Sequence, residues 1–218
     1  MRLNEPKVKV CGITRLEDGE NAIALGASFL GFILFGDSPR CIDPNEARKI
    51  WKLLNSDKTF SVAVDVDPDP LFLSEIVNTG FDFVQLHFPC TIDLDRVIAW
   101  SEIVGKEKLW LAPRVPPGDI FPDHFIPYAD TFLVDSYSVN KFGGTGKVSD
   151  WKEFTKLKDK HPSKKWVLAG GLCPENLSAA LSATHASLVD LNSGIESEPG
   201  IKDFFKMEKA FSILHDHN

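Results

Sequence analysis

Short apolar, β-branched runs recur along the chain at Val8–Cys11, Phe29–Ile33, Phe60–Val64, Phe83–His87, Leu109–Arg114, Phe132–Asp135, Trp166–Gly170 and Leu188–Leu191. They are apolar throughout and do not alternate, the pattern of strands covered on both faces in a parallel sheet. Their starts are spaced by roughly 20–35 residues, the length of a strand plus a returning helix.

The intervening stretches carry helical periodicity. Asp43 is placed to cap a helix, Pro44 takes its first position and Glu46 completes a capping box. Ala47, Ile50, Trp51 and Leu54 then share one face. Thr14 and Glu17 form a second capping box before a helix carrying Ala22, Ile23 and Leu25. Asp69 and Pro70 open a third, with Phe72, Ile76 and Val77 on one side and Gly80 as its stop. Ile92–Val104, Asp150–Lys160, Pro174–Ala183 and Asp203–Leu214 supply four more. Four prolines between Pro116 and Tyr128 resist a regular helix, so the fifth unit is expected to be short or irregular.

Eight alternations in 218 residues predict an α/β fold, a single (β/α)8 TIM barrel domain over residues 1–218. An open doubly wound sheet is the alternative. Against it, Cys11-Gly12-Ile13-Thr14 follows the first strand where a dinucleotide-binding glycine motif would stand. The polar tail 215–218 reads as frayed; its two histidines could hold a metal, but a loose end accounts for them better.

Composition narrows the class. A net charge of −7 lacks the basic footprint of a nucleic-acid binder. The longest apolar run, Phe29–Phe35, is too short to span a bilayer. Four cysteines without a CxxC pair read as reduced thiols. The expectation is a cytoplasmic metabolic protein with no membrane or nucleic-acid partner.

In a barrel, chemistry gathers at the C-terminal ends of the strands. The polar candidates there are Cys11, Asp65, His87, Arg114, Asp135 and Asp190. Small-residue segments follow the last three strands: Gly143-Gly144-Thr145-Gly146, Gly170-Gly171 and Asn192-Ser193-Gly194. One such cluster alone is merely a tight turn; clusters in adjacent loops on one face point to a phosphate held by backbone N–H groups. Gly146-Lys147 is not a P-loop, because Lys141 and Val148 stand where Gly and Ser or Thr belong. Cys11 is either an inert small hydrophobe or, with a lowered pKa, a base or nucleophile. Asp135 is either a strand-end cap or an acid whose pKa burial would raise.

The segment Lys9-Val10-Cys11-Gly12-Ile13-Thr14 resembles the opening motif of the phosphoribosylanthranilate isomerases. Ser38-Pro39-Arg40, Val84-Gln85-Leu86-His87, Leu133-Val134-Asp135, the 143–147 segment, Ala169-Gly170-Gly171-Leu172 and Ser193-Gly194-Ile195-Glu196 resemble the same family in the same order. The resemblance runs from about Lys7 to Lys209. It implies an Amadori rearrangement of N-(5-phosphoribosyl)anthranilate, with a small phosphosugar as partner and no metal or organic cofactor. Cys11 would be the general base and Asp135 the general acid. Arg40 would pair with the anthranilate carboxylate, the alternative being a solvated loop charge. Asp190 would meet a ribose hydroxyl or cap its strand. His87 would line the site or serve as a structural partner. Gly144, Gly171, Ser193 and Gly194 would hold the phosphate.

Three places depart from the family pattern: Val64-Asp65-Val66-Asp67, Phe88-Pro89-Cys90 and Leu191-Asn192. Two other readings stand beside the isomerase. One is a related aminoaldose isomerase, whose first strand would end in Asp where Cys11 stands. The other is a non-catalytic phosphosugar-binding module, against which the retained Cys11 and Asp135 argue. Monomer and homodimer are both open.

Overall fold

A computed structural model describes residues 5–116, 118–135 and 151–217. Eight parallel strands close in chain order: β1 Lys7–Cys11, β2 Phe29–Ile33, β3 Phe60–Val66, β4 Phe83–Pro89, β5 Leu109–Arg114, β6 Thr131–Val134, β7 Lys165–Leu168 and β8 Leu188–Leu191. Closure is made by β1 pairing β8, with Lys9 opposite Asp190. Helices α1 Leu16–Ala24, α2 Pro44–Leu54, α3 Pro70–Asn78, α4 Leu94–Val104, α5 Trp151–Lys160, α6 Leu177–Thr184 and α7 Phe204–Asp216 ring the barrel. A 3-10 turn over Asp123–Tyr128 replaces the fifth helix, with Pro127 inside it. After β8 the chain makes a 3-10 turn at Ser193–Ile195 and an antiparallel pair, β9 Glu196–Glu198 and β10 Ile201–Lys202.

Strand residues divide by period two. Val10, Leu30, Phe32, Ala63 and Leu86 point outward and are buried against the helices. Phe29, Val62, Val64, Trp110, Leu133 and Val167 point inward. At the N-terminal end the barrel is plugged by rings: Phe29 meets Trp110 and Phe83 edge-on, with centroids 5.0 and 5.7 Å apart. The polar groups therefore collect at the other end, where the interior opens.

Local chemistry explains most boundaries. Asp43 accepts from the N–H groups of Asn45 and Glu46, and Asp69 from those of Leu71 and Phe72, each with proline next. Three expectations need correction. Thr14 does not cap α1, whose N-cap is Arg15; its hydroxyl donates instead to the Gly200 carbonyl at 2.6 Å. Glu46 bonds Lys49 rather than closing a capping box. The tail is not frayed at 215, since α7 runs on through Asp216.

The departure at Phe88 has a packing role. Phe88 points out of the barrel, is fully buried, and sits between Trp100 and Phe125 with ring centroids 5.3 Å from each. It joins α4 to the 3-10 turn of the fifth unit, and its burial contributes about 2–3 kcal/mol.

Candidate active site

The C-terminal mouth of the barrel holds an open cavity of about 710 Å³ including its solvent-filled entrance, a size suited to a small ligand. Cys11, Arg40, His87, Asp135, Asp190, Gly171, Ser193 and Gly194 all line it. Gly144 lies outside the described residues.

Cys11 ends β1 and points inward beside Gly31 of β2. A Cβ at Gly31 would stand 2.8 Å from Cys11 Sγ and 3.0 Å from Lys9 Cε, so only glycine leaves room for both side chains. Burial pushes the Cys11 thiol above its ordinary pKa, against the pull of Lys9. The lowered value, one of the two readings of a strand-mouth thiol, is therefore not the resting state. The thiol sits in a dry wall with a cation beside it.

That cation was not among the candidates. Lys9 lies two residues before Cys11 on the same inward face, with its side chain fully buried. Its ammonium lies 3.0 Å from both oxygens of Asp190. Burial works to lower the Lys9 pKa, but Asp190 and Cys11 outweigh it and hold the ammonium charged. Asp190 is thus first a partner of Lys9. Burial pushes its carboxyl up, while Lys9 and Lys202 pull it back.

His87 is paired in the same way with the residue two before it. Gln85 Nε2 lies 2.8 Å from His87 Nε2, both on the inner face of β4. With the amide donating, the ring nitrogen accepts and the ring proton sits on Nδ1. Burial, with Lys9 and Arg114 nearby, lowers the His87 pKa to about 3, so the imidazole is neutral. The Gln85 Oε1 atom is buried with no hydrogen-bond partner.

Arg40 is no solvated loop charge. It is buried, and its Nε–Nη2 edge lies on the Glu196 carboxylate. Lys202 reaches the same carboxylate at 2.7 Å and the Asn192 side-chain oxygen at 3.1 Å. Burial opposes ionisation of Glu196, yet the Arg40 and Lys202 contacts hold it below the usual carboxylate range. Asn192, a departure from the family pattern, thereby tethers the β8 loop to β10. Two cations around one carboxylate leave a net positive charge, which suits an anionic ligand.

The glycine loops meet backbone to backbone. A Cβ at Gly194 would fall 2.0 Å from the Leu172 carbonyl oxygen, so only glycine lets the β7 and β8 loops touch. Gly171 has φ +64°, a left-handed conformation. None of the loop and turn bonds among the described residues uses the N–H of Gly171, Ser193 or Gly194. Asp135 follows β6 directly and is half-buried at the cavity wall.

Asp65, the other departure, is buried and borders the cavity. One oxygen accepts from the Val66 N–H at 2.7 Å, while the other is buried without a hydrogen-bond partner. Burial raises its pKa to about 6, against the Val66 bond. Lys9, Gln85, Glu196 and Lys202 were missed as site residues. For the first and third of these, signals existed: a lysine inside an apolar strand at two residues from Cys11, and a glutamate in the loop after β8.

The sequence profile of one family, N-(5'phosphoribosyl)anthranilate (PRA) isomerase, matches residues 8–212. An N-(5'-phosphoribosyl)anthranilate isomerase of Trichodesmium erythraeum is 35% identical, over 95% of this chain and 96% of its own. The crystal structure of the Thermus thermophilus phosphoribosyl anthranilate isomerase superposes with a TM-score of 0.83 at 30% identity, covering 97% of this chain and 100% of that one. A solved phosphoribosyl anthranilate isomerase in complex with reduced 1-(o-carboxyphenylamino)-1-deoxyribulose 5-phosphate superposes with a TM-score of 0.74 at 25% identity, over 97% and 99% of the two chains.

Proposed function

This chain belongs to the N-(5'-phosphoribosyl)anthranilate isomerase family and is an isomerase of tryptophan biosynthesis, and we propose that Cys11 and Asp135 carry the two proton transfers of its Amadori rearrangement. The observation that supports this is convergence: a thiol from the end of β1 and a carboxyl from the end of β6 line one cavity with the β7 and β8 glycine loops.

Asp135 protonates the furanose ring oxygen, and the ring opens to a Schiff base. Cys11, as thiolate, removes the C2 proton, and the electron pair moves onto nitrogen to give the enolamine. Ketonisation then places a proton on C1 and releases one from the C2 hydroxyl. Protons balance overall: ring oxygen and C1 each gain one, C2 and its hydroxyl each lose one. Separate acid and base groups suit a reaction that consumes a proton at one point and releases one at another.

Glu196 occupies only the Nε–Nη2 edge of Arg40 among the described residues. The Nη1–Nη2 end keeps a two-donor fork for the anthranilate carboxylate. Gly171, Ser193 and Gly194 offer amides to the phosphate, joined by Gly144. Asp190 and His87 face the ribose. A mere binding module has no use for both proton-transfer groups in one cavity. No helix among the described residues is long and apolar enough to cross a membrane, and we place the chain in the cytoplasm, acting as a single barrel over residues 1–218 on a small phosphosugar.

The test is turnover of freshly prepared phosphoribosylanthranilate, followed by loss of its fluorescence. Cys11→Ser and Asp135→Asn should each lower kcat by about 10²–10⁴. Near-normal kcat in either variant removes that residue from its role.

A further inference from the structure

We propose that Lys9 is a positioning residue for catalysis: anchored by Asp190, its ammonium faces Cys11 Sγ inside the barrel and stabilises the thiolate that takes the C2 proton. This rests on the reading of Cys11 as the base.

The argument begins with geometry. Lys9 and Cys11 are two apart on β1, so both point inward. Lys9 is in register with Asp190 of β8, and Cys11 with Gly31 of β2. Gly31 brings Lys9 Cε and Cys11 Sγ within 3.0 Å of a single point, the place its own missing Cβ would occupy. An ammonium has three donors. Two contacts go to the Asp190 oxygens, both at 3.0 Å, which leaves the third donor for charge that develops on the neighbouring sulfur. The side chain cannot swing away, because it is fully buried.

Stability does not account for a charge there. A buried ion pair is no more stabilising than apolar side chains of equal volume. The interior around it holds Val62, Val64, Leu133 and Val167, so an apolar residue would fit the lining. A cation gains its use when charge develops beside it, as it does when the thiol loses its proton. The charged groups acting on Cys11 are Lys9 on its own strand, Asp190 on β8 and Lys202 on β10. His87 on β4 feels Lys9 as well but stays neutral. Of the two cations Lys9 acts on the thiol more strongly, and its side chain meets Cys11 over Gly31.

The experiment titrates the Cys11 thiolate by its absorbance near 240 nm, with the matching Cys11→Ser protein as blank in each background. Lys9→Met should move the midpoint up by about one unit or more, a tenfold loss of thiolate at a given pH. Its kcat should fall at neutral pH and recover as pH rises. Lys9→Met combined with Asp190→Asn removes the stranded carboxylate, and the midpoint should stay high. Asp190→Asn alone should move it down, since a negative charge leaves and Lys9 turns wholly to the sulfur. An unmoved midpoint in the Lys9 variants, a loss of kcat that no pH restores, or an upward move in Asp190→Asn would overturn the proposal. Full turnover by Cys11→Ser would instead sink the reading of Cys11 as base and leave the titration standing.

Discussion

The Nε–Nη2 edge of Arg40 lies flat against the carboxylate of Glu196, with Nε–Oε1 at 2.9 Å and Nη2–Oε2 at 2.7 Å. The two residues are 156 positions apart, one in the loop after β2 and one after β8. Lys202 closes the arrangement from β10. The guanidinium is thereby held in place before any ligand arrives, which removes an ordering cost from binding.

Glu196→Gln should leave Arg40 and Lys202 buried around a neutral amide. Losing one member of a buried ionic cluster costs about 3–5 kcal/mol, to be read from urea unfolding. In the folded fraction KM should rise more than kcat falls, because Arg40 loses its orientation. An unchanged KM would show that Arg40 does not grip the substrate. The cost should also depend on pH. The Glu196 pKa is depressed on folding, so its contribution is complete above the ordinary Glu value and is lost as pH falls through the lower folded one. The difference between variant and parent should shrink in acid below about pH 4.

Gly194→Ala should be severe. The new methyl would lie 2.0 Å from the Leu172 carbonyl oxygen, which is backbone and cannot rotate away. The β7 and β8 loops must separate, at a cost of about 1–3 kcal/mol. Since both loops supply the proposed phosphate amides, KM should rise about tenfold or more, one lost charge-assisted bond being worth at least 1.4 kcal/mol. Calorimetry with inorganic phosphate as probe would separate this from a folding defect.

Asp65→Asn should stabilise the protein at neutral pH. The Asp65 pKa is raised to about 6 on folding, so its acid form is favoured in the native state. Its contribution is present below the unfolded value near 3.8 and lost as pH rises through about 6. Above that, the buried carboxylate costs up to about 3 kcal/mol, two units of pKa at 1.36 each. Thermal unfolding of parent and variant should agree near pH 4 and diverge by pH 8. Divergence of the opposite sign would mean that the second oxygen has a partner in solution.

His87 should stay neutral in the folded protein across the working range. Its folded pKa of about 3 lies below the unfolded 6.5, so the native state loses stability as pH falls through that window. Nitrogen-15 NMR of the ring should show a neutral imidazole with Nδ1 protonated at pH 5. An imidazolium signal there would exclude the Gln85 donor arrangement.

How much of this could be read along the chain differs by element. Strands β2, β5 and β8 end where the apolar runs end, and the short fifth unit follows from its prolines. Asp43 and Asp69 cap as local sequence demands, because an N-cap is a bond between near neighbours. Thr14 had the same local signature and yet bonds Gly200, 186 residues away, because a distant carbonyl offered a better acceptor. Cys11 and Asp135 were visible as residue types at strand ends, and Arg40 only through the family resemblance of Ser38-Pro39-Arg40. What Lys9, Glu196 and Lys202 do was not, although Lys9 stood in plain view two residues from Cys11.

The reason is physical. Apolar periodicity, proline and glycine act over a few residues, so the repeating strand–helix pattern and the barrel it closes into are written along the chain itself. Which charge meets which is settled only when β1 pairs β8 across 181 positions and sets Lys9 against Asp190. Burial then settles how each group ionises: neutral for His87, protonated into the mildly acidic range for Asp65, charged for Lys9. Those states belong to the closed barrel, because only the folded chain removes the water that would make every carboxylate and imidazole alike.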